Sequence, residues 1–363
     1  EEGEGDLAAA GLTRTPTRTE AYLAGPVYQN VRQQVVCRRG APIPKTPGDL
    51  PGISLTVVAG SSYVERLEAL RPENPGLSWS ESEAEGTEEL LEAVWEGNIP
   101  CTVADSNIVA INRRYFPELL VAFDLTEPEP LVWYFPREAK DLKAAVEDWF
   151  DEYQDDGKLD LLLDKYYGFI EIFDYVDTRS FVRAIDEVLP HYQALFRKTG
   201  REYHIPWALL AAQAYQESHW RPRAKSPTGV KGLMMLTLPT AKEVGVSNRL
   251  DPEQSVRGGA KYLDNIRRRL PEEMAEPDRT WIALAAYNVG MGHVRDAREL
   301  ARRLKKDPDQ WSSLSEVLPL LSQKKYYKTL KHGYARGREP VLYVNRIRNY
   351  RDILEKTLEG EGG

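Results

Sequence analysis

The pattern of apolar positions changes near residue 175. Before it, short runs such as Ile53-Ser54-Leu55-Thr56-Val57-Val58-Ala59, Cys101-Thr102-Val103-Ala104 and Leu131-Val132-Trp133-Tyr134-Phe135 alternate with helically spaced stretches, among them Glu88 to Trp95 and Lys140 to Tyr153. Strands alternating with helices predict a parallel, doubly wound α/β domain. After Asp177 the strand signal stops. Helical segments then follow between caps: Pro206 at a first position, Ser255 before Val256-Arg257-Gly258-Gly259, Asp278 before Trp281, and Gly290 closing. Phe173-Asp174-Tyr175-Val176-Asp177-Thr178-Arg179 reads as the linker, which divides the chain into residues 1–176 and 177–363. No internal repeat is visible.

Length agrees with this division, since 363 residues exceed one ordinary core. The composition, 42% hydrophobic and 29% charged, is that of a globular chain. A net charge of -8 argues against nucleic acid as a partner, which would call for a basic footprint. The longest apolar run, Trp207 to Tyr215, falls far short of the roughly 20 residues of a membrane span. No signal peptide is visible, and Glu1-Glu2-Gly3-Glu4-Gly5-Asp6 reads as the middle of a domain from which preceding residues have been removed. Cys37 and Cys101 are too few for a disulfide framework or a four-cysteine metal site. Each lies in a strand-like run, and the expectation is two buried free thiols.

In the helical half, one carboxylate stands out. His204 to Trp220 reads as a mostly apolar helix that ends at Gln216-Glu217-Ser218-His219-Trp220, before the breaker Pro222. A carboxylate at the negative end of a helix dipole and among apolar neighbours resists ionisation. A protonated acid near neutral pH is what glycosidic bond cleavage needs. Taken alone, Glu217 could equally be a solvated residue at a fraying helix end.

Its company changes that reading. Ser226-Pro227-Thr228-Gly229-Val230-Lys231-Gly232-Leu233-Met234-Met235-Leu236-Thr237, Ala285-Ala286-Tyr287-Asn288-Val289-Gly290 and Tyr343-Val344-Asn345-Arg346-Ile347 follow in order. Together with Glu217-Ser218 they resemble the lysozyme-like catalytic domain of the family 1 lytic transglycosylases, glycoside hydrolase family 23. The resemblance implies that Glu217 is the acid and then the base, and that Ser226 and Asn288 hydrogen-bond the sugar. It also implies that Met234 and Met235 line the cleft, and that Tyr287 and Tyr343 pack against or hydrogen-bond the reacting ring and Glu217. Met235 stands where the family has Gln. From the residues alone, Tyr343, Ile347, Tyr350 and Leu354 form a helical stripe that suits core packing, and the two methionines suit core gaps. Lys324-Lys325-Tyr326-Tyr327-Lys328, with Arg336 and Arg338, reads as a solvated face or as a contact for peptidoglycan carboxylates.

The first half carries its own resemblance. Ala10-Gly11-Leu12-Thr13-Arg14-Thr15-Pro16-Thr17-Arg18, with Gly25-Pro26-Val27-Tyr28, is similar to the first-lobe segment of amino-acid-binding periplasmic proteins. There a hydroxyl and an Arg five residues on hold the ligand's α-carboxylate. Gly60-Ser61-Ser62 follows a strand and opens a helix, a natural anion site, and Asp105 ends a strand where such proteins hold an α-ammonium. Thr13, Arg18, Ser62 and Asp105 would then form a zwitterion clamp. Each could also be an ordinary turn, surface, cap or strand-end residue. The known fold has a further strand–helix–strand stretch before Asp6, so the first lobe is expected to be incomplete.

The two domains in this order resemble the membrane-bound lytic murein transglycosylase F type. The implied fold is a periplasmic-binding-protein-like, two-lobed α/β domain followed by an all-α lysozyme-like domain. The implied reaction cleaves the MurNAc–GlcNAc β-1,4 bond of peptidoglycan without water, leaving 1,6-anhydroMurNAc ends and using no metal or cofactor. The implied setting is the periplasm, peripheral at the outer membrane, with a muropeptide or amino acid as ligand of the first domain. A hydrolytic muramidase and a glycan-binding receptor for wall fragments are the alternatives.

Overall fold

The computed structural model describes residues 5–170, 175–227 and 229–360. The chain forms two compact units, residues 1–167 and 168–363.

Among the described residues the first unit carries eight strands: β1 (Ala8–Thr13), β2 (Leu23–Val31), β3 (Gln33–Arg38), β4 (Leu55–Val58), β5 (Trp79–Ser82), β6 (Cys101–Asp105), β7 (Leu119–Asp124) and β8 (Glu129–Phe135). Its helices are α1 (Pro16–Ala21), α2 (Ser62–Leu70), α3 (Thr87–Glu96), α4 (Ser106–Asn112), α5 (Lys140–Asp155) and α6 (Lys158–Tyr167). The strands make two sheets, ordered β1-β8-β2 and β5-β4-β6-β3-β7. This is the two-lobed α/β architecture, but the sheets are not the all-parallel, doubly wound kind. Among the described residues only β4 pairs in parallel, with β5 and β6; β3 runs antiparallel to β6 and β7, and β8 antiparallel to β1 and β2. The chain enters the larger sheet directly from β2 into β3 and leaves it from β7 into β8, with no crossover helix at either passage. Antiparallel strands tolerate such short connections, whereas parallel ones need a crossover.

Period-two alternation sorts β3 between two cores. Val35 and Cys37 join Leu55, Val57, Leu67 and Val103 on one face, while Val36 joins Leu91, Val94 and Leu119 on the other. The same register places Cys37 opposite Cys101 across the β3–β6 ladder. The two are joined as a disulfide, their Cα atoms 4.1 Å apart, which corrects the expectation of free thiols. A separation of 64 positions hides this adjacency, which only the strand register creates.

The second unit is helical: α7 (Tyr175–Glu187), α8 (Gln193–Tyr203), α9 (Trp207–Ser218), α10 (Leu238–Val244), α11 (Pro252–Arg268), α12 (Asp278–Val289), α13 (Met291–Arg303), α14 (Trp311–Val317), α15 (Lys324–Tyr327) and α16 (Arg338–Gly360). Helix α7 begins at Tyr175, so Tyr175 to Arg179 belongs to a helix rather than a linker; Phe173 and Asp174 lie outside the described residues. Thr178 is 2% exposed, and Phe181 is fully buried; a segment with such anchors cannot serve as a loose connection. Ser255 is likewise interior to α11, whose cap is Asp251, accepting from the Gln254 N–H.

Helix α9 is buried all round from Ala208 to Tyr215, as is α12 from Trp281 to Ala286. A helix apolar on every side is a core element. Long α16 packs on both, through the buried stripe Tyr343, Ile347, Tyr350 and Leu354. Alanine on α9 and α12 lets these axes approach closely.

Candidate active site

Helix α9 places Glu217 one residue from its end. The two residues after the helix, His219 and Trp220, both take left-handed φ, 52° and 54°. That reversal folds Trp220 back, and its indole N–H donates to the Ala211 carbonyl at 2.8 Å. The ring of Tyr215 is boxed by Phe181, Trp220 and Tyr350, with centroids 4.5, 4.9 and 4.8 Å away. Each such aromatic pair contributes about 0.5–1.5 kcal/mol beyond burial. The helix end that carries Glu217 is therefore fixed.

Glu217 as a residue is half-buried, and the crowding of protein around its carboxyl pushes its pKa up to about 7. Burial is the dominant cause, and it outweighs the opposing hydrogen bond from Tyr343. The Tyr343 hydroxyl donates to Oε1 of Glu217 at 2.6 Å. Gln213, one turn before Glu217 and fully buried, donates its Nε2 to the same hydroxyl at 3.2 Å. With its oxygen receiving from Gln213, the phenol's proton is directed at Glu217. Burial and the neighbouring Glu217 both hold Tyr343 protonated, its pKa raised well above the usual tyrosine value. With Oε1 accepting from Tyr343, Oε2 is the oxygen left to carry the acid's own proton. Sequence reading missed Gln213; a polar residue at i−4 from the acid, in an otherwise apolar stretch, was its signal.

The Gly232–Leu236 loop is pinned to three helices. Ser218 of α9 donates its hydroxyl to the Leu233 carbonyl at 2.9 Å, the Met234 N–H donates to Ser255 Oγ of α11 at 3.1 Å, and the Tyr287 hydroxyl of α12 donates to the Met234 carbonyl at 2.9 Å. At Gly232, φ is 87° and a Cβ would come within 1.8 Å of the Arg249 carbonyl oxygen, so glycine alone fits.

Met234 does not line the site with its side chain, as the resemblance implied. That side chain is fully buried against Gly259, where an added Cβ would lie 2.6 Å from it, and Met234 contributes its backbone instead. Met235 is partly exposed, at a left-handed φ of 44°. Tyr287 is close enough for Glu217 to help raise its pKa, but its hydroxyl is committed to Met234 rather than to the acid. Asn288 is exposed at the next position. Ser226 is half-buried and its Oγ accepts from the Val230 N–H at 3.3 Å, closing the turn before the loop. Tyr343 serves both readings: it belongs to the core stripe and touches the acid. The lysines of α15 are exposed, as are Arg336, paired with Glu339 at 3.2 Å, and Arg338.

In the first unit, Thr13, Ser62 and Asp105 are all buried, and Arg18 is half-buried. Arg18 Nη1 donates to the Thr13 carbonyl at 3.0 Å, and the Ser62 hydroxyl lies 3.5 Å from that of Thr13. Asp105 is raised to about 7 by burial and by the charge of Glu129, against the pull of Tyr63 and Arg18. The four residues are thus brought to one place.

Two family models match the chain: the transglycosylase SLT domain over residues 194–310, and bacterial extracellular solute-binding proteins, family 3, over residues 1–169. The membrane-bound lytic murein transglycosylase F 2 of Alkalilimnicola ehrlichii is 50% identical over 360 residues, covering 99% of this chain and 80% of the relative. The membrane-bound lytic murein transglycosylase F of Shewanella halifaxensis is 49% identical over 354 residues, 97% of this chain and 74% of its own. Among solved structures, a mutant of the arginine-binding protein ArgBP from T. maritima aligns over 46% of this chain and 70% of its own, at 20% identity and a TM-score of 0.41, a likeness too loose to carry an argument.

Proposed function

Since the chain belongs to the membrane-bound lytic murein transglycosylase F family and is a peptidoglycan-cleaving lyase, we propose that Glu217 is its general acid and then its general base. The observation that carries this reading is the short bond from Tyr343 to a carboxyl whose pKa burial has raised to about 7. A carboxyl so tuned holds a proton near neutral pH and can still give it up.

In the proposed reaction, Glu217 Oε2 gives its proton to the glycosidic oxygen between MurNAc C1 and GlcNAc C4. The C1–O bond breaks, and its electron pair stays on the departing oxygen. The N-acetyl carbonyl of the same MurNAc stabilises the cationic C1. As Glu217 becomes charged, its bond from Tyr343 becomes charge-assisted and strengthens. The carboxylate then takes the proton of the MurNAc C6 hydroxyl, and O6 bonds to C1. The segments that carry the site's other elements, Gly232 to Thr237, Ala285 to Gly290 and Tyr343 to Ile347, contain no Asp or Glu, and hydrolytic glycosidases generally need a second carboxylate. The intramolecular hydroxyl gains the effective concentration of a positioned group, roughly 10⁵ M or more. Ser226, Asn288 and Met235 are proposed to contact the sugars.

Digestion of purified sacculi in ¹⁸O-water, followed by mass analysis, tests this. Unlabelled 1,6-anhydroMurNAc ends are expected. Labelled reducing MurNAc ends would make the enzyme a muramidase.

For the first unit, we propose that Arg18, Thr13 and Ser62 receive a ligand carboxylate and Asp105 its ammonium, so that an amino acid or muropeptide is bound. The disulfide suits an oxidising compartment, which supports the periplasmic part of the proposed setting. Among the described residues, no helix is long and apolar enough to cross a membrane.

A further inference from the structure

Residues 324–338 hold six cations, Lys324, Lys325, Lys328, Lys331, Arg336 and Arg338, and no carboxylate, in a chain whose net charge is -8. All six are exposed. Arg336 pairs with Glu339 at 3.2 Å; among the described residues the other five have no acidic partner. Cations elsewhere on this unit are commonly paired, as Arg257 with Glu202, Arg269 with Glu243 and Lys306 with Glu316. Like charges gathered in one place repel one another. A loose tail would relieve that repulsion by spreading, but this segment is tied down. Thr329 Oγ1 accepts from Arg303 Nη1 at 3.2 Å, the His332 N–H donates to the buried Asp296 at 2.6 Å, and the Ala335 N–H donates to the Leu321 carbonyl at 3.2 Å. The fold holds these cations together against their own field.

The segment also borders the site at both of its ends. His332 packs on Gly292, where an added Cβ would lie 2.7 Å from its Nδ1, and Gly292 stands four positions beyond Asn288. Arg338 opens α16, five positions before Tyr343. Aromatic rings are interleaved with the charges: Tyr334 is 56% exposed and meets Tyr327 edge to face at 5.7 Å.

We propose that residues 324–338 are a docking surface for the peptide stems of the strand being cut, their exposed cations receiving the stems' free carboxylates. This rests on Glu217 as the cleavage centre and adds a substrate preference to it. The GlcNAc and MurNAc rings are neutral, so a glycan without charged stems offers these cations nothing. Each stem hangs from the lactyl ether of MurNAc, the ring that reacts at C1, and brings several carboxylates to its neighbourhood. Exposed charges reach about one Debye length, roughly 10 Å at 0.1 M salt, so the contact steers and holds the strand at low ionic strength and fades at high. An anionic lipid surface would instead call for apolar side chains to enter it, and among the described residues of this segment Tyr334 is the single large hydrophobic side chain that is exposed.

Co-sedimentation of the full Glu217→Gln chain with purified sacculi reads binding without digestion. The probes are native sacculi, the same sacculi with their carboxyls converted to amides by carbodiimide and ammonia, and phosphatidylglycerol vesicles. Native sacculi should bind about five- to tenfold more tightly than amidated ones at low salt, the order of several surface ion pairs together, and equally at roughly 0.5 M salt. Adding Lys324→Gln, Lys325→Gln and Lys328→Gln together, with thermal unfolding still native, should bring that preference below about twofold. Each substitution made singly, which keeps the test open if the triple variant unfolds, should remove part of it. Equal binding of native and amidated sacculi at low salt, or a preference that all these variants keep, would overturn the proposal. Vesicles held more tightly than native sacculi through the same lysines would overturn it in favour of a lipid surface. Soluble fragments released by the Glu217→Gln chain would fault the acid instead, while the pelleted protein still reads the surface.

Discussion

Tyr343 donates its hydroxyl proton to Oε1 of Glu217 at 2.6 Å, from a helix 126 positions further along the chain. The bond joins the buried stripe of α16 to the end of α9 and, in the proposed mechanism, makes a core residue part of the chemistry. Tyr343→Phe keeps the ring and removes only this donor. Turnover should fall about ten- to a hundredfold, the weight of a hydrogen bond to a charged group. Because the bond lowers the pKa of Glu217, its loss should also move the alkaline limb of the pH–rate profile upward. A rate loss without that movement, measured on purified sacculi, would assign Tyr343 to packing alone.

Glu217→Gln cannot deliver a proton, and turnover should fall on the order of 10²–10⁴-fold or more. The same substitution has a signature in stability. The native pKa of about 7 lies above the ordinary 4.5, so the folded state holds a proton that the unfolded state releases between those values. Wild-type stability should therefore decline as pH rises from about 4.5 through 7, by up to roughly 3 kcal/mol. Gln carries no such charge. Relative to wild type, the variant should gain in thermal midpoint at pH 8 compared with pH 5. Parallel midpoints across that range would remove the burial argument.

The Cys37–Cys101 disulfide closes a loop of 64 positions. The loop-entropy argument makes it worth about 4 kcal/mol to the first unit. Reduction, or Cys37→Ala with Cys101→Ala, should lower the denaturation midpoint of that unit while sacculus digestion by the second continues. Equal midpoints in oxidised and reduced protein would contradict this.

Asp105 is held near 7 by burial and Glu129, against Tyr63 and Arg18. An ammonium ligand favours its ionised form, so ligand affinity should drop as pH falls from 8 to 6, with protons released on binding near pH 7. Buffer-dependent binding enthalpies measure that release. A pH-independent affinity would detach Asp105 from the ligand.

The two-unit organisation and the helix bearing Glu217 were readable because each is a local pattern, whereas Thr13, Arg18, Ser62 and Asp105 were named through the resemblance to amino-acid-binding proteins. What was not readable depends on direction or on backbone. Alternating strand and helix runs do not reveal that the chain passes twice between sheets without a crossover, which makes β3 antiparallel. Nor do two cysteines in separate strands reveal a register that sets them face to face. Met234 matters through its carbonyl and N–H, which no side-chain motif announces. Gln213 escaped because it lies inside an apolar stretch that looked like core.

The desolvation of Glu217 has a consequence for when the enzyme can act. The groups that close around this carboxyl come from α9, α12 and α16, which meet only once the bundle is assembled. In an unassembled chain Glu217 is an ordinary carboxyl, ionised at neutral pH and without a proton to give. With Glu217 as the proposed acid, completion of folding is itself the activating step. A chain that threatens the wall it works on is chemically silent until its tertiary structure closes.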